Sequence, residues 1–427
     1  YSIFVAINLR PGIIPDEPYR FEVSQYFSET LQIPEDVPIA IEYGDDLQRN
    51  PFLGYWIFGR ALNIHNLVSP SANERQQLIF LRVFNLLFSV GSVIYTYLLA
   101  KEFFQNKWLQ LLPVFLITNT LMFVFLSSGV SYDNPTNFAG AASIYYLVRV
   151  VNKKAFMKNS LKWLIAISFG SLIKRTILPL ALISGIIWII FVIRNKPIIP
   201  KKHFKNLNII FLMVILAIFI GFNIYIYGFN LIKFQSLLPK CLDTFSKEVC
   251  ENSVFNIRYQ KLALANKLTV VQAFKQGYPD PIRYVFDVWI REILKRIFGI
   301  MGHLNYYPIV ISYFHIALYW MIILAARYIR KPSFKICGLF SIFIFYAIVL
   351  IYTNYNSELI YGFKQVALQG RYIFPVISTV YIIYAYILNN VSNKIIKYAT
   401  LTATILLFLY AGPIRFIWYC NSVFADW

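Results

Sequence analysis

Residues 207–227 read LNIIFLMVILAIFIGFNIYIY, a stretch without a single charged side chain. As a helix it would be about 30 Å long, which matches the hydrocarbon core of a bilayer. Similar runs occur at Leu304–Ala326 and Ile336–Thr353. The whole chain of 427 residues is 58% hydrophobic and only 14% charged. A soluble domain of this size needs far more polar surface. The sequence therefore predicts an all-α, polytopic transmembrane helical bundle.

The apolar runs predict about eleven membrane spans within one transmembrane domain covering residues 1–427. The first span is incomplete, because Tyr1–Leu9 is too short to cross a bilayer. We interpret it as the outer end of a helix whose start is missing, or as an incomplete N-terminus. The remaining spans are predicted at residues 78–100, 109–128, 136–151, 161–173, 176–193, 207–227, 304–326, 336–353, 372–388 and 398–418.

The distribution of charge predicts the orientation of the chain. Its net charge of +20 would suit a nucleic-acid partner, but eighteen Lys and Arg lie in five short loops that contain one acid, Glu102. By the positive-inside rule these loops face the cytoplasm, where they contact anionic lipid. The other nineteen acids lie on the opposite side. We therefore expect membrane lipids as partners, no nucleic acid, and any chemistry on the outer face.

Two long segments, Arg10–Arg75 and Gly228–His303, are predicted to be outer loops. The first contains residues 51–67, which are apolar but short and suit an interfacial or re-entrant helix. The second ends in residues 281–299, an amphipathic helix that either lies in the membrane interface or packs on the bundle. In this loop Cys241 and Cys250 are close enough in sequence for a disulfide in an oxidising compartment.

Two acidic motifs are candidates for chemistry. Residues 15–18 read PDEP, and adjacent carboxylates at a membrane surface must be solvated, paired or used. Asp16 or Glu17 could act as a general base, or could simply stabilise the first turn of the next helix. Asp133, within SYDNP at residues 131–135, lies where the chain re-enters the membrane. Its alternative role is to cap that helix.

Two basic motifs are candidates for phosphate binding. Lys174 and Arg175 form a tight turn between two apolar runs, and Arg371 lies in QGRY at residues 369–372. Such cations could hold a phosphate or pyrophosphate, or could reach lipid headgroups as isolated side chains do. No zinc-type Cys/His cluster or phosphate-cradling glycine loop is recognisable, although outer carboxylates could hold a divalent ion. Weaker candidates follow: Asp45, Asp46, Arg82, His303 and Glu358.

In this order the motifs resemble those of the GT-C superfamily of polytopic membrane glycosyltransferases. That superfamily includes protein O-mannosyltransferases and the lipid A aminoarabinose transferase. PDEP resembles its acidic signature, and Arg82, SYD at 131–133 and Lys174 follow the same pattern. QGRYIFP at 369–375 and FGIMGHL at 298–304 are similar to a related group of uncharacterised bacterial membrane proteins. The chain departs in having Tyr19-Arg20 where that group often has His, and we expect none of the soluble C-terminal domain that some members carry.

The resemblance implies sugar transfer from a polyprenyl-phosphate-linked donor to a lipid, glycan or protein acceptor, with inversion at the anomeric carbon. It implies Asp16 as the base, assisted by Glu17 or Asp133. Lys174, Arg175 and Arg371 would bind the phosphate, with Arg82, His303 and Tyr372 as further binding residues. The donor would be a co-substrate, and no protein metal ligand is implied. The expected location is a bacterial plasma membrane with the site facing the exterior.

Two other classes of function fit a polytopic basic protein. A secondary transporter should carry ionisable groups at mid-membrane, broken helices and a repeat, whereas the acids here avoid the spans. A flippase, ligase or polymerase for lipid-linked glycans would also be polytopic, with basic outer loops.

Overall fold

The computed structural model describes residues 1–33, 47, 50–197, 205–239, 241–251, 268–277, 280–299, 309–328, 332–361 and 368–419. Within these ranges the chain is helical and contains no β-strand. The predicted all-α fold is confirmed. Residues 300–308, which include His303, lie outside the described ranges, as do Asp45, Asp46 and Cys420.

The helices of the N-terminal half surround the two acidic motifs. They are α1 (Ser2–Asn8), α2 (Glu17–Glu29), α3 (Leu53–Val68), α4 (Glu74–Phe103), α5 (Lys107–Thr118), α6 (Leu121–Ser127), α7 (Asp133–Val151), α8 (Phe156–Ile173) and α9 (Leu178–Asn195), with a 3-10 turn at Arg175–Ile177. The long helix α4 begins at a capping box in which Asn73 and Gln76 satisfy each other's backbone N–H groups.

The C-terminal half supplies the remaining helices. They are α10 (Leu207–Asn223), which continues as a π-helix over Ile224–Gly228 into α11 (Phe229–Phe234), then α12 (Cys241–Thr244), α13 (Lys247–Glu251), α14 (Val270–Gln276), α15 (Pro281–Arg283), a π-helix at Tyr284–Ile290, α16 (Arg291–Phe298), α17 (Ile309–Ala325), a 3-10 turn at Ala326–Tyr328, α18 (Phe334–Tyr361), a 3-10 turn at Gly370–Val376, α19 (Ile377–Asn390), α20 (Lys394–Tyr410) and α21 (Pro413–Tyr419).

The structure does not confirm the predicted count of eleven spans. Among the described residues, six helices are long and apolar enough to cross a membrane, or seven if the bent pair α5 and α6 is one span. Helices α7 and α8 contain 19 and 18 residues but are not among them. Helix α7 carries several polar residues, including Asn134 and Asn137, and α8 carries Lys158 and Lys162. The chain is an integral membrane protein with six or seven candidate spans among the described residues.

The segment Gly370–Val376, called the 370–376 turn below, is buried between two helices. A Cβ atom on Gly140 of α7 would collide with the carbonyl of Pro375. A Cβ atom on Gly370 would lie 2.7 Å from Cγ1 of Ile297 in α16. Side chains of α16, including Ile293, are buried in the same core. Glycine at both positions therefore permits the close packing that fixes the backbone around Arg371.

Candidate functional site

Asp16 is placed at the start of α2 but does not cap it. Its backbone has a left-handed φ of 62°, which Asp tolerates better than most residues. Its carboxylate accepts no hydrogen bond from the helix N-terminus. Instead Oδ2 lies 2.7 Å from Nη2 of Arg371 and 3.1 Å from Nη2 of Arg20. The alternative of a simple helix cap therefore does not describe this side chain.

Asp133 is the second acid of the same cluster. It is the first residue of α7, and its Oδ1 accepts a short hydrogen bond from Nζ of Lys174. Its Oδ2 lies 3.5 Å from Arg371 and 3.6 Å from Arg20. Residues far apart in sequence thus form one ionic group, called the charge cluster below: Asp16, Arg20, Asp133, Lys174 and Arg371.

The aromatic rings of two tyrosines lie against the cations of the charge cluster. The ring centroid of Tyr132 lies 4.4 Å from the Arg20 guanidinium carbon and 4.6 Å from Nζ of Lys174. The ring centroid of Tyr372 lies 5.0 Å from Nζ of Lys174. Ring faces are electron-rich and attract cations at these distances. The tyrosines therefore hold the cations in place without neutralising their charge.

The charge cluster is buried except at one member. The side chains of Arg20, Arg371 and Asp133 are at most 4% exposed, whereas that of Asp16 is 45% exposed. Burial alone would raise the pKa of Asp16, but the nearby Arg20 and Arg371 guanidinium groups outweigh it and hold the pKa below its usual value. Asp16 is therefore an ionised carboxylate that can be reached from outside the protein.

The cluster has more cationic than anionic groups. Three cations face two carboxylates, which leaves one positive charge among these five side chains. Nε and Nη1 of Arg371 and Nε of Arg20 are buried and have no hydrogen-bond acceptor within the described ranges. Buried donors of this kind are costly unless something accepts from them. The group is thus suited chemically to receive an anion.

Glu17 and Arg82 face each other in a separate ion pair. Nε and Nη2 of Arg82 lie 2.8 Å and 2.6 Å from the two carboxylate oxygens of Glu17. Nη1 of Arg82 donates to the carbonyls of Ala6 and Leu9, and Glu17 also accepts from the N–H of Val130. Both side chains are at most 1% exposed. The polar atoms of both side chains are thus occupied by each other and by the backbone, and the roles of Glu17 in catalysis and of Arg82 in phosphate binding stay predictions.

Other predicted residues lie apart from the charge cluster. Arg175 is exposed, whereas its neighbour Lys174 is buried. Cys241 and Cys250 form a disulfide. Within the described ranges no group of three His, Cys, Asp or Glu could hold a metal ion.

Arg20 belongs to the charge cluster but was not among the residues predicted from sequence. It is fully buried and also donates from Nη1 to the hydroxyl of Ser131, 2.8 Å away. The signal for it is local: Arg20 follows Asp16 by four residues, which places both on one side of a helix.

A cavity of about 370 Å³ begins directly after Asp16. Glu17, Pro18, Phe21 and Glu22 form one wall, and Glu74, Arg75 and Leu78 at the start of α4 form the other. Pro11 and Gly12 complete it. The cavity thus adjoins the residues that follow Asp16 in α2, and Asp16 is not itself one of its lining residues.

Comparison with known proteins supports the resemblance read from the motifs. Residues 51–238 match the family model described as dolichyl-phosphate-mannose-protein mannosyltransferase. The oligosaccharyltransferase of Archaeoglobus fulgidus, solved in complex with zinc and sulfate, is similar in structure with a TM-score of 0.52 and 15% identity. That match covers 98% of this chain and 52% of the other. The chain shares the fold of that oligosaccharyltransferase. The predicted resemblance is confirmed.

Two further solved structures match with TM-scores below 0.5. ArnT of Cupriavidus metallidurans, solved with undecaprenyl phosphate, matches with a TM-score of 0.45 and 11% identity over 91% of this chain and 58% of the other. AglB of Archaeoglobus fulgidus, solved with an inhibitory peptide and a dolichol-phosphate, matches with a TM-score of 0.49 and 14% identity. That match covers 98% of this chain and 54% of the other. The chain spans little more than half the length of these proteins. No curated protein sequence matches it.

Proposed function

We propose that this GT-C protein transfers a sugar from a polyprenyl-phosphate-linked donor to an acceptor hydroxyl or amine, with Asp16 as the general base. One observation carries the proposal: the exposed carboxylate of Asp16 shares Arg371 with a buried, net cationic cluster. A transferase of this type needs a base for the acceptor and cations for the phosphate that leaves. The charge cluster places both kinds of group within hydrogen-bonding distance of one another.

The phosphate is proposed to bind at Lys174, Arg371 and Arg20. Nε of Arg371 supplies a buried donor that has no hydrogen-bond acceptor within the described ranges, Nη1 of Arg371 lies 3.5 Å from Oδ2 of Asp133, and Lys174 supplies a point charge. Charge-assisted hydrogen bonds to a phosphate are about twice as strong as neutral ones. Asp133 bridges these cations through Lys174 and Arg371 and keeps them from repelling one another.

The acceptor is proposed to approach Asp16 from outside the protein, since the Asp16 side chain is 45% exposed. Asp16 takes the proton of the acceptor as the acceptor atom bonds to the anomeric carbon. The bond from that carbon to the phosphate oxygen breaks, and its electron pair leaves with the polyprenyl phosphate. Attack from the side opposite the phosphate inverts the anomeric configuration. The charge developing on the phosphate is stabilised by the three cations.

Donor binding would also activate the base. In the free protein the Asp16 carboxylate shares Arg371 and Arg20 with Asp133, which makes it a weak base. A bound phosphate competes for the same guanidinium groups and adds negative charge beside Asp16. Both effects raise the affinity of Asp16 for a proton. The base would therefore become effective only when the donor is in place.

Asp16→Asn tests the proposal directly. Purified protein in detergent is given a radiolabelled polyprenyl-phosphate sugar and membrane extract as the source of acceptor. We expect Asp16→Asn to reduce transfer at least about a hundredfold, since general-base catalysis contributes 10²–10⁴-fold. Glu29→Gln, an exposed carboxylate on the same helix, is the control and should leave transfer unchanged. Full transfer by Asp16→Asn would refute the assignment of the base.

The proposed orientation has the charge cluster at the exterior face of a bacterial plasma membrane. The supporting observation is the separation of charge along the chain, with the loops rich in Lys and Arg away from both acidic motifs. The disulfide between Cys241 and Cys250 also suits an oxidising exterior compartment.

A further inference from the structure

Lys174 and Arg371 lie in two backbone turns that meet at a single hydroxyl. Tyr346 of α18 is 2% exposed, and its hydroxyl lies 2.8 Å from the carbonyl oxygen of Thr176 and 2.8 Å from that of Tyr372. Thr176 follows Lys174 by two residues, and Tyr372 follows Arg371 directly. The hydroxyl has one proton, which it shares between two acceptors or donates to each in turn.

This hydroxyl lies where the two turns would otherwise repel each other. Two carbonyl oxygens that approach the same point present like partial charges, and in a buried site water does not screen them. A donor between them removes the repulsion and fixes the distance between the turns. Because Lys174 and Arg371 belong to these two turns, the distance between the turns affects the distance between Nζ of Lys174 and the guanidinium of Arg371.

The packing around the 370–376 turn lets the contact with Tyr346 affect the position of Lys174. The 370–376 turn is packed between α7 and α16 through Gly140 and Gly370, so it cannot adjust easily. Tyr372 also presents its ring to Nζ of Lys174 at 5.0 Å. A change in the position of Tyr372 would therefore reach Lys174 by two routes, through the ring and through Tyr346.

We propose that Tyr346 is a positioning residue that sets the spacing of the two cations for the donor phosphate. The inference rests on the proposed function. Tyr346 touches neither the sugar nor the phosphate in this account, and it acts only through the backbone of the two turns. Removing its hydroxyl should weaken phosphate binding while the base and its reaction with bound donor remain.

The test compares Tyr346→Phe with Tyr384→Phe. Tyr384 is equally buried at 2% exposed and also loses a hydroxyl hydrogen bond, to Thr404, but it lies about two turns into α19, beyond the 370–376 turn. The probes are undecaprenyl phosphate and undecaprenol in detergent, measured by ligand-induced thermal stabilisation and by titration. Transfer kinetics with labelled donor separate KM from kcat.

For Tyr346→Phe we expect the Kd for undecaprenyl phosphate and the KM for donor to rise about three- to tenfold, the effect of losing one hydrogen bond. The kcat should change less than about twofold, because bound donor meets an intact base. Undecaprenol lacks the phosphate, and its Kd should be the same for both variants and for the unchanged protein. Tyr384→Phe should keep its affinity for the phosphate.

Three results would overturn the inference, and the third would overturn the proposed function as well. If the unchanged protein binds the phosphate and Tyr346→Phe binds it equally well, Tyr346 does not position the cations. If Tyr346→Phe and Tyr384→Phe lose affinity and thermal stability in parallel, the effect is one of general stability. If the unchanged protein does not distinguish undecaprenyl phosphate from undecaprenol, the proposed function fails first and the inference with it.

Discussion

At the scale of single residues, the structure separates neighbours that look equivalent in sequence. Asp16 points to Arg371, whereas Glu17 points to Arg82. Lys174 is buried beside Asp133, whereas Arg175 is exposed. The sequence motifs predict that acids and cations meet, but they do not predict which of two adjacent side chains turns inward. That choice depends on the backbone at each turn, such as the left-handed conformation of Asp16.

Lys174 and Arg175 provide a matched pair of substitutions. Lys174→Met should raise the KM for a polyprenyl-phosphate donor about ten- to hundredfold, because a charge-assisted contact to phosphate is lost. Arg175→Met, which removes an equal charge from the next residue, should change the KM less than about twofold. Steady-state kinetics with labelled donor give both values. An equal loss in the two variants would mean that net surface charge, and not this cluster, attracts the donor.

The acid side of the pH profile reports on Asp16. Its lowered pKa means that the carboxylate stays ionised until the pH falls below its usual value of 3.8. The pH dependence of kcat/KM, which reports the free protein, should therefore show no loss due to Asp16 between about pH 5 and about pH 8. Arg20→Gln removes one cation that stabilises the ionised Asp16 carboxylate. In this variant the fall of kcat/KM on the acid side should therefore begin at a higher pH. An unchanged profile in Arg20→Gln would contradict the coupling of these two residues.

At the scale of structural elements, ion pairs and glycine contacts fix the position of the site. Arg82 of α4 contacts the carbonyls that end α1 and the carboxylate that starts α2. The 370–376 turn is packed between α7 and α16. The apolar pattern predicts the helices themselves, but these contacts join residues far apart in the chain. They could not be predicted from one sequence, because nothing local in it distinguishes Gly140 from a glycine facing lipid.

Glu17→Gln tests the structural role of the Glu17–Arg82 pair. Removing one partner of a buried ion pair leaves the other charge without compensation, which costs about 3–5 kcal/mol. We expect a clear fall in the melting temperature in detergent, while Glu22→Gln, an exposed carboxylate on the same helix, should cause none. The double variant Glu17→Gln/Arg82→Met should lose less stability than the sum of the losses in the two single variants. A stable Glu17→Gln protein without transfer activity would instead make Glu17 part of the chemistry.

At the scale of the whole molecule, the class of protein was predictable and the number of spans was not. Long apolar runs identify a membrane protein, since soluble proteins of this size do not contain them. The count of about eleven spans stays unconfirmed, since six or seven helices among the described residues are long and apolar enough to cross a membrane. Helix α7 is not one of them: most of its residues are buried within the protein, and these include the polar Asn134 and Asn137.

Cys337 tests the sidedness of the whole chain. It is exposed near the start of α18, on the side predicted to be cytoplasmic, and Cys241 and Cys250 are joined to each other. In a Cys420→Ser background, a membrane-impermeant maleimide should label Cys337 in inside-out vesicles and not in intact cells. Labelling in intact cells only would reverse the proposed orientation and place the charge cluster on the cytoplasmic face.

The most direct measurement of the central claim is an experimental structure of the protein with undecaprenyl phosphate. We predict that the phosphate lies within hydrogen-bonding distance of Lys174 and Arg371, with the carboxylate of Asp16 turned toward the outside of the protein. A phosphate bound elsewhere, with Asp16 still paired with Arg371 and Lys174 still paired with Asp133, would contradict this prediction.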